Sequence, residues 1–277
     1  MSLGRKIILY TILITISFTT LFPFLWMLSS SFKTMGEIFS LTPSFIPDNI
    51  FAEGMWNNYK SILQEYNFLR FIFNSFVVAG LAALGQLFTC SLGGFAFARM
   101  EFKFKEVIFA LMLATMMIPI QVTIIPEYFI MLKLNWYNTY LPLIVPSMLI
   151  GSFGTFLLRS TFENMPSSME EAAFIDGVND WQMFYMVFLP NAKPALASLF
   201  IIAFMNNWNA LLRPVIYIDK PDLYTITMGL AMFKGNYGTQ WHLLLAGSVL
   251  SILPLLFIYM SMQKYFVRGM LTSGTKG

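Results

Sequence analysis

Charged residues interrupt this chain at very uneven intervals. Only six stretches without Asp, Glu, Lys or Arg are long enough to cross roughly 30 Å of hydrocarbon: 7–32, 71–98, 107–126, 134–158, 194–212 and 235–263. The next longest, 181–192, is too short. A charge at mid-bilayer costs about 2.5 kcal/mol or more, so charges mark where spans stop. The pattern predicts an all-α polytopic membrane protein. Its six transmembrane helices are expected near 8–28, 72–96, 107–131, 138–158, 194–214 and 243–264, all within one domain, 1–277.

The first stretch follows Arg5 and Lys6, as a signal peptide would, but it stays apolar through Phe22-Pro23-Phe24-Leu25-Trp26. A cleaved signal has a shorter apolar centre followed by small residues, so this segment reads as a retained first span. Basic residues crowd one set of span ends, as in Arg99, Lys103 and Lys105, and are sparse along the opposite segments. By the positive-inside rule both termini are expected in the cytoplasm.

With that topology, one cytoplasmic segment is unusually polar. Residues 160–193 carry Glu163, Glu170, Glu171, Asp176 and Asp180. Ser167 and Glu170 have capping-box spacing, and Met169, Ala172, Ala173 and Ile175 give the following turns an apolar face, so a short helix is expected here. Gly177 suits the left-handed position after its C-terminus. A second helical run starts at Asp180 and reaches Leu189-Pro190, and Pro194 opens the fifth span at a tolerated position. Such a hairpin has two readings: it lies on lipid as an interfacial element, or it docks into a protein groove with Glu171 meeting a basic partner residue.

Composition narrows the class. The chain is 57% apolar, 17% aromatic and 11% charged, against about 25% charged in soluble proteins. The net charge of +3 gives no reason to expect nucleic acid. One cysteine, Cys90, and one histidine, His242, leave no set of residues for a disulfide framework or a metal site. No Gly-x-x-x-x-Gly-Lys-Ser/Thr loop is present, so the chain is not expected to bind ATP itself.

Glu171-Ala172-Ala173, three residues, Gly177, nine residues, Val187, one residue, Leu189-Pro190 resembles the EAA motif of permease subunits in ATP-binding-cassette importers. The spacing matches throughout, with Val187 where the pattern usually has Ile. Asp176-Gly177, the Trp208-Asn209-x-x-Leu212-x-Pro214 stretch and the end of the chain from Gln263 to Gly277 are similar to carbohydrate-importer permeases, in the class that includes the smaller maltose permease subunit. The resemblance implies a type I importer permease fold in the inner membrane of a prokaryote. It implies a coupling helix formed by Glu170, Glu171, Ala172, Ala173, Asp176, Gly177, Leu189 and Pro190, seated in a cleft of an ATPase that holds ATP and magnesium. It also implies a second permease, most simply as a heterodimer, an extracytoplasmic solute-binding protein, and a tail, with Arg268 and Lys276, reaching the ATPase.

For the pathway, polar side chains near mid-bilayer are informative because they need protein or water there. At 1.5 Å rise per residue, Asn206 lies roughly 18 Å beyond Pro194. Asn206, Asn209 and Trp208 then offer amides and an aromatic face suited to a sugar. Gln121 and Gln86 fall near the middle by the same count, with helix-to-helix bonding favoured for Gln86. Pro119 and Pro126 flank Gln121 and predict a kinked third span. Glu127, some 20 residues beyond Val107, is expected at the outer interface. No charge is then expected at mid-depth, which favours a neutral sugar or glycoside over glycerol phosphate. Outside, Trp56, Tyr59 and Tyr66 either meet the binding protein or form an aromatic belt. An ion-coupled transporter would want an intramembrane acid or histidine, and a membrane enzyme a convergent catalytic set; the spans supply neither.

Overall fold

The computed structural model describes residues 3–48, 53–149, 151–235 and 238–273, with the backbone alone beyond Gln263. In chain order the helices are α1 (Leu3–Ser30), α2 (Met35–Ile38), α3 (Asn57–Gln64), α4 (Phe68–Arg99), α5 (Lys105–Ala114), α6 (Ile120–Lys133), α7 (Leu141–Met148), α8 (Ser152–Glu163) and α9 (Ser167–Ile175). After them come α10 (Asp180–Gln182), a π-helical turn at Met183–Phe188, α11 (Leu189–Asn191), α12 (Lys193–Trp208), α13 (Leu212–Tyr217), α14 (Ile226–Met232) and α15 (Trp241–Ser273). A two-residue hairpin, β1 (Lys234–Gly235) and β2 (Gly238–Thr239), precedes α15.

Four apolar stretches have the length to span a membrane, Leu3–Ser30, Phe68–Arg99 and Trp241–Gln263 as single helices and Leu141–Glu163 as α7 and α8 together. Counting two bent pairs as spans raises the number to six: 105–117 with 120–133, bent by 101°, and 180–191 with 193–208, bent by 80°. The 107–131 span expected from the sequence is therefore sharply broken, as its prolines suggested. Pro119 has no N–H to continue the ladder and holds Ile118 extended (φ −87°, ψ 113°). The fifth expected helix, 194–214, ends at Trp208 and resumes as α13 after Asn209–Leu211.

The chain forms two compact units. The first comprises residues 1–70 and 229–254. Here α1 is mostly apolar beyond Lys6 and exposed from Leu3 to Leu25, which suits contact with lipid or another subunit. Beyond it, Lys33 is buried, with Nζ donating to the Ser44 carbonyl (2.5 Å) and lying 4.6 Å from the Trp26 ring centre. The Asn58 amide donates to the Ser31 and Lys33 carbonyls (2.8 and 2.9 Å). Glu37 closes a capping box with Thr34 and also accepts from the Asp48 amide (3.0 Å), tying 34–48 into a strap.

The second unit, 71–228 and 255–277, holds the elements that matter for function. Its α4 approaches α8 closely at Gly94, where an added Cβ would meet the Leu158 Cβ at 2.8 Å and the Arg159 backbone nitrogen at 3.0 Å. One buried cluster joins Cys90, Phe95, Leu158, Phe162, Ala173, Phe184, Phe188 and Leu199, and so packs the polar loop onto α4, α8 and α12. Phe95, Phe162 and Phe188 form its aromatic centre, with ring separations of 5.3 to 6.2 Å. A second cluster gathers Val78, Ile124, Met131, Leu143, Ile144, Tyr217, Ile218 and Met228.

Candidate functional site

The polar loop folds as two short helices around Gly177. α9 begins at Ser167, but its N-cap is Pro166 and no side chain caps it. The capping box expected from Ser167 and Glu170 does not form: Pro166 rather than Ser167 is the N-cap, and Glu170 turns to Arg99 instead. At the other end Gly177 takes φ +76° and donates to the Phe174 carbonyl (3.0 Å), while Val178 donates to the Ala173 carbonyl (3.1 Å). This Schellman closure needs the left-handed backbone that glycine adopts without a Cβ penalty. Asn179 then caps α10 through a reciprocal box with Gln182 (2.9 and 3.0 Å).

Arg99, the last residue of α4, fastens this loop. Its guanidinium donates to the Phe162 carbonyl (2.7 Å), the Met165 carbonyl (2.6 Å) and the Glu170 carboxylate (3.2 Å), and lies 4.9 Å from the Phe188 ring centre. One side chain thus satisfies carbonyls at the end of α8, fixes α9 and covers the return segment. Close by, Arg159 of α8 bonds Glu106 through two nitrogens (2.7 and 3.1 Å) and Glu163 (2.7 Å), linking α5 to α8.

The loop's other side is open and apolar. Ala173 is buried in the core, whereas Glu171, Ala172, Asp176 and Gly177 are exposed. Ile175 is 87% exposed, Phe174 and Met186 57% and Trp181 56%. Leu189 is half-buried and Pro190 exposed where the chain returns to α12. Exposed large side chains gathered on a fixed scaffold and rimmed by acids mark an interaction surface.

A cavity of about 440 Å³ lies elsewhere in the same unit, and three helix breaks meet on it. Its lining includes Ile120 after the α5–α6 break, Leu149 and Gly151 at the α7–α8 break, and Ala210 to Arg213 at the α12–α13 break. Gln86 of α4 and Asn206 and Asn207 of α12 complete the polar wall. Backbone groups freed at the breaks are met by side chains. Thr89 donates to the Met148 carbonyl (2.7 Å), Cys90 bonds both backbone groups of Gly151 (3.3 Å each), Ser152 donates to the Met112 carbonyl (2.8 Å), and Thr227 to the Ala210 carbonyl (2.6 Å). Irregular backbone at membrane depth is tolerated where it is satisfied in this way or lines a cavity.

The structure sorts the pathway residues expected from sequence. Asn206 lines the cavity. Asn209 is exposed and its amide turns back to the Met205 carbonyl (3.0 Å). Gln121 is exposed and does not line the cavity, although its neighbour Ile120 does. Trp208 is 2% exposed and stacks on Phe204 at 5.5 Å, so it packs the core and presents no face to the cavity. Gln86, read from sequence as a helix-to-helix contact, is in the wall. Arg268 has no described side chain, and Lys276 lies outside the described residues.

The sequence places Glu127 by counting residues along a straight helix. The 101° bend removes that premise, and Glu127 pairs with Arg213 at 3.0 Å, their side chains only 15% and 25% exposed. Arg213 itself lines the cavity, whose wall therefore includes a charged side chain. Neither Arg99 nor this pair announced itself in the sequence; a basic residue closing a long apolar stretch was the one available signal for Arg99. Among the described residues no three His, Cys, Asp or Glu side chains come together as metal ligands.

Long apolar helices broken around a polar cavity, with an anchored polar loop, define a multi-pass membrane permease. The chain belongs to the family of binding-protein-dependent transport system inner membrane components, whose model matches residues 90–272. It is 34% identical over 261 residues to the probable ABC transporter permease protein YurM of Bacillus subtilis, covering 92% of this chain and 84% of that one. It is 28% identical to the lactose transport system permease protein LacG of Rhizobium radiobacter, covering 96% and 95%. Among solved structures it superposes on a chain of a bacterial ABC transporter that imports the acidic polysaccharide alginate, with a TM-score of 0.81, 22% identity and coverage of 96% and 99%. At that identity the likeness concerns the fold.

Proposed function

We propose that this chain is a permease subunit of an ATP-driven importer for neutral sugars or glycosides. It pairs with a second permease to enclose one pathway and receives solute from an extracytoplasmic binding protein. The loop at 160–193 faces the cytoplasm, as do both termini, and α9 is the coupling helix. ATP and magnesium are held by the partner ATPase, and this chain performs no catalysis of its own. The cavity at the three helix breaks is this subunit's share of the pathway.

The observation that carries the coupling role is the division of α9 into two faces. Glu170 and Ala173 are held by the body of the chain, while Glu171, Phe174 and Ile175 stand free to enter a partner's groove. A helix that is rigidly anchored on one side and apolar on the other transmits displacement rather than absorbing it. Reversing the charge at Glu171 tests this directly. Glu171→Lys is expected to lower co-purification of the ATPase and to abolish ATP-dependent uptake with the permease itself still inserted; undiminished association and uptake would show that α9 is not the coupling helix.

A neutral solute is favoured over a glycerol phosphate because the polar wall consists mainly of amides, Gln86 and Asn206 together with Asn207, whose Nδ2 is already given to the Ala203 carbonyl (2.8 Å), and Ser147. Amides donate and accept at once, which matches hydroxyl groups better than a phosphate that only accepts.

A further inference from the structure

Arg213 is the one charged residue among those that line the cavity in the described structure, and it is not alone. Its Nη2 lies 3.0 Å from Oε2 of Glu127 on α6, and Glu127 stands behind the wall rather than in it. The two side chains belong to elements flanking different breaks, α6 after Pro119 and α13 after Asn209–Leu211. The α5–α6 bend therefore brings an acid to a cation that the α12–α13 break has delivered to the cavity.

We propose that Glu127 cancels the charge of Arg213 in the cavity wall, so that the cavity accepts uncharged, hydroxyl-rich solutes and turns away anionic ones. The inference rests on the cavity being part of the solute pathway. An anion bonded to Arg213 either takes the guanidinium from Glu127 or sits on a nitrogen not directed at it, and in both cases brings a second negative charge beside a largely buried carboxylate, which repels it. A hydroxyl makes no such demand: it bonds to Gln86, Asn206 or Asn207, or to a guanidinium nitrogen not directed at Glu127, and the pair stays intact. Glu127 acts here through Arg213 and is a positioning residue, while Arg213 sets which charge the wall presents.

The local potential can be read without knowing the solute. In the complete importer, reconstituted in lipid and carrying Cys90→Ser to remove the native thiol, Asn206→Cys places a reactive group in the wall. Its rates of modification by anionic sulfonatoethyl and cationic trimethylammonioethyl methanethiosulfonate are compared with those of free 2-mercaptoethanol. With the native pair the normalised ratio is expected within about threefold of unity, as for an uncharged site. Adding Glu127→Gln should shift it about tenfold or more toward the anionic reagent, Arg213→Gln should shift it similarly toward the cationic one, and the double variant should restore it. A ratio that Glu127→Gln leaves within twofold of its starting value overturns the inference. Where Glu127→Gln fails to assemble, Arg213→Gln and the double variant decide in the same way. A thiol that reacts with neither reagent shows instead that the cavity is closed to solute, and the pathway reading itself falls.

Discussion

Arg99 at the end of α4 and Glu170 in the middle of α9, 71 residues apart in sequence, are joined by a 3.2 Å ion pair. The same guanidinium holds the carbonyls of Phe162 and Met165, so α4, α8 and α9 share one fastening point. Any force applied to the exposed side of α9 is thereby delivered to two long helices of the bundle.

Arg99→Gln is expected to loosen coupling more than assembly. A glutamine amide replaces at most two of the three bonds, and each charge-assisted bond lost costs about 1.5–3 kcal/mol. In reconstituted importer the variant should still bind the ATPase and hydrolyse ATP, while solute moved per ATP hydrolysed falls several-fold. Arg99→Lys should recover part of that ratio. If uptake and hydrolysis fall together in proportion to the amount assembled, Arg99 serves only folding.

The cavity separates two groups of residues that look alike in sequence. Gln86→Ala with Asn206→Ala should reduce uptake by about tenfold, the effect of losing bonds together worth about 1.4 kcal/mol, while the complex assembles normally. Asn209→Ala should change uptake little, since that amide serves its own helix. Trp208→Ala should instead lower the folded yield, because emptying a buried tryptophan site costs about 3–5 kcal/mol. Normal uptake in the Gln86/Asn206 variant would remove this cavity from the pathway.

The strap at 34–48 carries a pH dependence of known sign. Backbone bonding from Thr34 is the main cause that holds the Glu37 carboxyl below its ordinary value of 4.5, helped by the Thr34 hydroxyl and the Asp48 amide, although partial burial opposes it. A carboxyl depressed in the fold contributes stability that is fully present above its unfolded value and is lost as pH falls through the folded one. Hydrogen exchange at the Thr34 and Asp48 amides should therefore show protection at neutral pH that disappears only in acid below that ordinary value. In Glu37→Gln the two amides should be weakly protected at every pH; retained protection would mean the carboxylate is not what orders the strap.

Much of the polar loop was legible because its signals are local. Gly177 closes α9 through bonds that span five residues, and Asn179 caps α10 through a partner three residues on. Ser167 and Glu170 satisfied an equally good local rule and failed it, since α9 already begins at Ser167 behind Pro166 and Glu170 pairs with Arg99, 71 positions away. The cavity was less legible. Residue counts along a helix measure depth only while the helix is straight, and the bend at Pro119 interrupts the count toward Glu127, while burial of Trp208 against Phe204 removes an aromatic face expected in the pathway.

By itself the order of residues determined that this chain lives in a bilayer, where its apolar helices lie, and that one polar loop interrupts them, because hydrocarbon charges a free-energy penalty to each ionised group wherever it occurs. Tertiary structure alone decided which amides share a wall, that Arg99 fastens the loop, and that Arg213 enters the cavity already paired with Glu127. Those outcomes depend on which distant groups meet once three helices break. A break redirects every residue beyond it, and hydropathy along the chain does not record that change of direction.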